Sequence, residues 1–310
     1  MPTAFAIRID DLSKTYGRGS QSVAAVKGLN LEVASGQVFG FLGPNGAGKT
    51  TTIRMLMDLI RPSGGKAEIF GCSVRTAGAL KRVGGLVEGP AFYGYLSGWN
   101  NLEVLARTAN DFRPDRIREL LEQVGLAARA RQPVASFSMG MKQRLGVAAA
   151  LLGDPDLVIL DEPTNGLDPA GILEMRGFIR RLAKDRGKTV FISSHLLNEV
   201  EQTCDRVAII HKGELIREGP VVGLLADGAS KIRVQVSPVE KAEEVLRERW
   251  ETIRESLPLE SIPWLIVNAP PQECFEVVEF LVRHGVRVHQ AVVQRQTLEG
   301  YFLAATRETP

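Results

Sequence analysis

The stretch FLGPNGAGKTT, from Phe41 to Thr51, decides how the rest of the chain is read. Gly43-Pro-Asn-Gly-Ala-Gly-Lys-Thr50 matches the spacing G-x-x-x-x-G-K-[ST] in full. Ahead of it, Gln37–Leu42 reads as a short apolar strand. Behind it, Lys49–Ile60 reads as a helix with apolar residues at i, i+3 and i+4. Glycines let successive backbone N–H groups turn toward one anion with no Cβ in the way. The helix N-terminus adds partial positive charge at that point. Lys49 supplies a point charge for the β and γ phosphates, and Thr50 a hydroxyl for Mg²⁺. The loop residues Gly43, Pro44, Asn45, Gly46, Ala47, Gly48, Lys49, Thr50 and Thr51 are therefore candidates for phosphate binding. The glycine spacing overlaps a dinucleotide fingerprint, but the Lys-Thr ending argues against one.

A phosphate loop needs an acidic partner at the end of an apolar strand. LVILDEP supplies it. Asp161 ends four apolar residues and is the candidate for holding Mg²⁺, directly or through water. Glu162 follows and is expected on the opposite side of the strand line. A carboxylate near the γ-phosphate and not bound to metal can polarise the attacking water.

The chain has 310 residues, 44% of them hydrophobic and 24% charged, with a formal net charge of +2. This is the composition of a globular protein with enough length for two cores. Residues 220–310 carry thirteen acids against ten Lys plus Arg. Neither part is basic enough to bind nucleic acid by bulk charge. The cysteines, Cys72, Cys204 and Cys274, are scattered and odd in number with no CxxC pair, which argues against a disulfide framework or a zinc site and fits a reducing cytosolic setting. MPTAFAIRIDDLSK has no secretory pattern, and no window approaches the ~18 consecutive apolar residues of a spanning helix. Any role at a membrane is expected to come through a partner.

Strands are expected at Ala4–Leu12, Val26–Val33, Lys66–Phe70, Arg82–Val87, Asp156–Pro163, Lys188–Ser194 and Arg206–Gly219. Helices fill the stretch from Asn100 to about Leu152, where RPDRIRELLEQVGL has its Pro near the start and its Gly at the end. Strands alternating with helices predict a mainly parallel, helix-covered sheet with an all-helical insertion. After Gly219, KIRVQV, PVEKAEEVLRERWETIRESL, SIPWLIVNA, PPQECFEVVEFLVRHG, VRVHQAVVQ and TLEGYFLAATR read as β-α-β-α-β-α, a small α+β domain.

The order GPNGAGKTT, FSMGMKQR, LVILDEPTNGLDP, VFISSH closely resembles the nucleotide-binding subunit of ATP-binding cassette (ABC) transporters over about residues 4–219. The resemblance implies an α/β P-loop (RecA-like) domain with antiparallel β and α-helical subdomains, the helical one at about 96–153. Residues 220–310 would be an accessory α+β domain. It implies an ATP hydrolase using ATP and Mg²⁺. Tyr16 in KTYG stands where an aromatic stacks on adenine, and Phe137–Met141 stands where the signature motif lies. In that motif Ser138 and Gly140 match the usual Leu-Ser-Gly-Gly-Gln, whereas Met139 and Met141 do not. Ser138 and Gly140 open a helix, and that end would complete the site of a facing copy. Asn165–Asp168 looks like the D-loop that meets that copy. His195 occupies the switch position and would orient the catalytic water. His211, His284 and His289 receive no such role.

Most relatives carry a glutamine about forty residues after the phosphate loop; here Glu88 stands in that place. With the methionines of the signature, this resembles the bacitracin-resistance and lantibiotic-immunity type of exporter. Glu88 is thereby a candidate for Mg²⁺ and nucleotide contact, since a carboxylate is a hard oxygen ligand. PAFYGYL just after it offers aromatics as anchors for a coupling helix of a permease, or for the helical block's own core. The implied partners are a second ATPase subunit, as a homodimer, and an integral-membrane permease, with no nucleic acid. The place is the cytoplasmic face of the membrane, peripheral through the permease. The alternative is a soluble cassette acting on DNA or ribosomes, which usually has a coiled-coil insertion or two cassettes in one chain; neither is present. A P-loop kinase or GTPase is set aside because the Asn-Lys-x-Asp guanine reader is absent.

Overall fold

The structure, a computed structural model, describes residues 5–89, 91–226, 231–255, 262–294 and 297–307. The chain divides into two compact units, Met1–Pro220 and Val221–Pro310.

In the first unit the elements run β1 (Phe5–Tyr16), β2 (Val23–Ala34), β3 (Val38–Leu42), α1 (Lys49–Leu56), β4 (Gly64–Ile69), β5 (Cys72–Ser73), α2 (Ala77–Leu80) and β6 (Val83–Leu86). There follow α3 (Gly98–Thr108), α4 (Pro114–Gln123), α5 (Met139–Ala150), β7 (Leu157–Asp161), α6 (Pro169–Lys184), β8 (Thr189–Ser194), α7 (Leu197–Thr203), β9 (Arg206–His211) and β10 (Glu214–Pro220). One antiparallel sheet has the order β2-β1-β4-β5, and the central sheet the order β10-β9-β3-β8-β7-β6. In the central sheet β9, β3, β8, β7 and β6 are parallel, and β10 closes one edge as an antiparallel hairpin with β9. Every residue of β3, β7 and β8 is buried, which is why these strands are continuous apolar runs. Phe191 on β8 packs between Phe39, at 5.8 Å and nearly parallel, and Phe41, at 5.4 Å.

β8 lies between β3 and β7, with Leu42 beside Ser194 and Asp161 beside Ser193. The loop after β3, the acids after β7 and the histidine after β8 therefore leave the sheet side by side. The helical block α3–α5 starts its helices with local caps. The Ser97 hydroxyl accepts from Asn100 N–H, α4 has Pro114 in its first turn, and the Ser138 hydroxyl accepts from Met141 N–H at 3.2 Å.

The second unit contains α8 (Val221–Ala226), β11 (Lys231–Ser237), α9 (Val239–Arg247), β12 (Thr252–Glu255), β13 (Trp264–Asn268), α10 (Cys274–Arg283), β14 (Arg287–Gln294) and α11 (Leu298–Arg307). The run β11-α9-β12-β13-α10-β14 forms one antiparallel sheet of order β12-β13-β11-β14. This is the split β-α-β, ferredoxin-like arrangement. It corrects the single long helix expected over 238–257. α9 ends at Arg247, Trp250 turns inward against Phe280 at 5.5 Å, and its indole N–H donates to Glu273 at 2.8 Å. The chain then runs back as β12, paired with β13 through Thr252–Glu255. Residues 256–261 of the expected helix and strand lie outside the described residues.

Candidate functional site

The glycine loop between β3 and α1 has the backbone that only glycines tolerate. Gly46 and Gly48 have φ of +80° and +104°. A Cβ on Gly48 would lie 2.4 Å from the Ala25 carbonyl oxygen, whereas one on Gly46 would meet nothing within 4 Å. The loop is thus pressed against β2 on one side and open on the other. Lys49, the first residue of α1, is buried and arches back over the loop. Its Nζ donates to the carbonyls of Gly43 at 2.7 Å and Pro44 at 3.2 Å, and lies 3.3 Å from Glu162 Oε1.

The two acids after β7 have different partners. Asp161 Oδ2 accepts from Thr50 Oγ1 at 2.9 Å, and Oδ1 accepts from Ser193 Oγ at 2.5 Å. At Glu162 the backbone leaves the strand with φ +51°, in the left-handed region. Its N–H donates to Ser193 Oγ at 3.0 Å. Glu162 then bridges Lys49 and His195, with His195 Nδ1 at 2.8 Å from Oε2. Simple alternation along the strand does not describe this turn: both carboxylates line one cleft of about 670 Å³, together with Thr50, Glu88, Gln143 and Lys142. Ser193 organises both acids, although in the sequence SSH points only to its histidine.

Thr50 and Asp161 offer two hard oxygens at the loop end, a donor set that suits Mg²⁺ completed by substrate phosphates and water. Among the described residues no three His, Cys, Asp or Glu side chains gather to hold a metal by themselves. Glu88 lines the same cleft at φ +62°, but its carboxylate forms an ion pair with Arg54 of α1. Ser138 caps α5, and its neighbour Met139, 60% exposed, lines the outer wall of the cleft. A Cβ on Gly140 would lie 3.1 Å from Leu167 Cδ2, so the start of α5 packs against the 165–168 loop. Asp168 caps α6 by accepting from Gly171 N–H at 2.9 Å. Tyr16 ends β1, 38% exposed, with Lys14 Nζ 5.2 Å from its ring centre, and is not among the residues lining the cleft. In the loop after Glu88, Tyr93 and Tyr95 are exposed and pack ring to ring at 5.8 Å; Pro90 lies outside the described residues.

Comparison with known proteins identifies the family. The family model described as ABC transporter matches residues 26–165. The bacitracin transport ATP-binding protein BcrA of Bacillus licheniformis is 42% identical over 299 residues, 96% of each chain. The lantibiotic transport ATP-binding protein SrtF of Streptococcus pyogenes is 40% identical over 212 residues, 68% of this chain and 90% of that protein. Among solved structures, an ATP-binding subunit of an ABC transporter is 28% identical with a TM-score of 0.62, covering 71% of this chain and 92% of that one. A post-hydrolysis dimer of the cassette MJ0796 bound to ADP and Pi shares the fold at 24% identity and a TM-score of 0.63, covering 69% and 98%. The chain belongs to the ABC transporter ATP-binding family and is an ATP-hydrolysing cassette of that family.

Proposed function

We propose that this protein is the ATPase subunit of an exporter whose membrane spans belong to a separate permease, working as a homodimer on the cytoplasmic face of the membrane. The observation that carries the reading is the bridge Lys49–Glu162–His195 beside the Thr50–Asp161 pair. The transport roles in the names of the bacitracin and lantibiotic relatives support the subtype. No described helix is long and apolar enough to cross a membrane, so the reading assigns the spans to a partner.

In this reading the Gly43–Thr51 loop cradles the phosphates, and Tyr16 stacks on adenine. Lys49 exchanges its loop carbonyls and Glu162 for phosphate oxygens. Thr50 and Asp161 would hold Mg²⁺, which would supply positive charge to the phosphates. Glu162, then released from Lys49, accepts a proton from the attacking water, and His195 orients both water and γ-phosphate. Glu88, balanced by Arg54, senses the permease at the cleft edge, with Tyr93 and Tyr95 as anchors for it. Ser138 and Gly140 of one copy face the nucleotide of the other, so ATP joins two subunits and cleavage releases them. Residues 220–310 are an accessory domain.

The test is Glu162→Gln. With Mg-ATP the variant is expected to accumulate as an ATP-bound dimer in light scattering and ultracentrifugation. A variant that hydrolyses ATP at the parent rate and stays monomeric refutes the mechanism.

A further inference from the structure

His195 sits in a turn where the Leu196 N–H donates to Ser194 Oγ at 3.0 Å. It follows β8 directly and precedes α7, a helix of seven residues. A helix this short is unstable on its own. α7 also lacks a side-chain cap at its start, where Leu196 is 39% exposed. Something else must hold α7, and with it the backbone that aims His195 at Glu162.

Two contacts do so. On one side Val200 packs against β3, so closely that a Cβ on Gly40 would fall 2.5 Å from Val200 Cγ1. On the other side Arg176 of α6 forms a two-pronged ion pair with Glu199. Its Nε lies 2.7 Å from Oε2 and its Nη2 lies 2.6 Å from Oε1. The third guanidinium nitrogen, Nη1, donates to Gln202 Oε1 at 2.5 Å. Arg176 and Glu199 are only 14% and 16% exposed, and Arg180 Nε, one turn further along α6, donates to the Thr203 carbonyl at 3.3 Å. A planar fork meeting both carboxylate oxygens fixes orientation as well as distance, which a surface pair does not.

We propose that Arg176 and Glu199 are positioning residues for His195, holding α7 so that the imidazole stays within reach of Glu162 and the γ-phosphate. The clamp also ties the histidine to α6, whose first turn is capped by Asp168. The proposal rests on the reading of His195 given above. Arg176 and Glu199 act on the site only through α7, so they are positioning residues and not catalytic residues.

Arg176→Met keeps the aliphatic stem and removes the fork. The expected result is a fall of about ten- to a hundredfold in kcat, the scale of a displaced catalytic group. KM for ATP should stay within about twofold, because the phosphate loop is untouched. Arg176→Lys, a point charge in place of a fork, should fall between Met and the parent. In the full chain loaded with Mg-ATP, the ring signals of His195 in NMR, assigned through His195→Ala, should move in Arg176→Met and in Glu199→Gln. Residual turnover in His195→Ala should not fall further when Arg176→Met is added. Parent-like kcat with unmoved His195 signals overturns the proposal. So does a loss in Arg176→Met that repeats in full in the His195→Ala background. If Arg176→Met does not fold, Glu199→Gln and Arg176→Lys carry the same comparisons. A His195→Ala protein that turns over at the parent rate fails the underlying reading instead, and is told apart by that measurement alone.

Discussion

Replacing Glu162 by glutamine should weaken the nucleotide-free protein as well as its turnover, because Glu162 is the charge partner of a buried lysine. Lys49 Nζ lies 3.3 Å from Glu162 Oε1, with side-chain exposures of 6% and 20%. At an effective dielectric of about 20 the attraction at that distance is about 5 kcal/mol. Breaking a fully buried pair by removing one partner costs about 3–5 kcal/mol. Lys49 keeps two loop carbonyls, at 2.7 and 3.2 Å, and the glutamine oxygen still accepts a hydrogen bond. The expected loss is therefore smaller, about 2–3 kcal/mol, or about 4–12 °C in the midpoint of the first unit. Glutamine inherits the same left-handed φ, so the substitution isolates the charge. ATP or ADP supplies Lys49 with phosphate oxygens and should restore most of the difference. Differential scanning calorimetry of parent and variant, with and without nucleotide, measures both quantities. A loss below about 0.5 kcal/mol, or one that nucleotide leaves unchanged, would refute the account of Lys49.

Three further outcomes are expected. Gly48→Ala, at φ +104° and with its Cβ 2.4 Å from a backbone oxygen, should cost about 2–4 kcal/mol and abolish binding of a fluorescent ATP analogue; Gly46→Ala, facing open space, should lose only about 1 kcal/mol. Arg54→Ala removes an exposed ion pair and should change stability by less than about 1 kcal/mol, yet it leaves the Glu88 charge unbalanced in the cleft; Kd for ATP should rise several-fold in titration calorimetry and recover in Arg54→Ala/Glu88→Gln. Asp154 is held below its ordinary 3.8, chiefly by a hydrogen bond from Lys188, against the opposing effect of burial. A depressed carboxylate contributes stability that is complete above pH 3.8 and is lost as pH falls through its lower folded value. Urea midpoints of parent and Asp154→Asn should accordingly differ at pH 6 and converge toward pH 2.

Much of the site was legible because its demands are local. The phosphate loop needs glycines at fixed steps before a helix, and a contiguous motif states that requirement in full. The apolar runs ending in Asp161 and preceding His195 likewise announce buried parallel strands with polar tips. The second unit was harder to read. WETIRE follows a helical stretch without a glycine or proline break, and its strand exists because Trp250 finds Phe280 and Glu273, residues distant in sequence. The same holds for the side-chain partners around the site, which join residues 34 apart at Arg54–Glu88 and 111 apart at Thr50–Asp161.

By itself the sequence determined that a phosphate loop, a paired acid and a histidine occur in the order of an ABC cassette, since each is a short run whose backbone conformation depends on its own residue types. Only the tertiary structure decided that Glu162 bridges Lys49 and His195, that Glu88 is answered by Arg54, and that Arg176 grips Glu199. Those pairings depend on β8 lying between β3 and β7 and on α6 lying beside α7. Strand order and helix contact are set by burial of the whole core, which leaves no period or spacing in the chain from which a partner could be read.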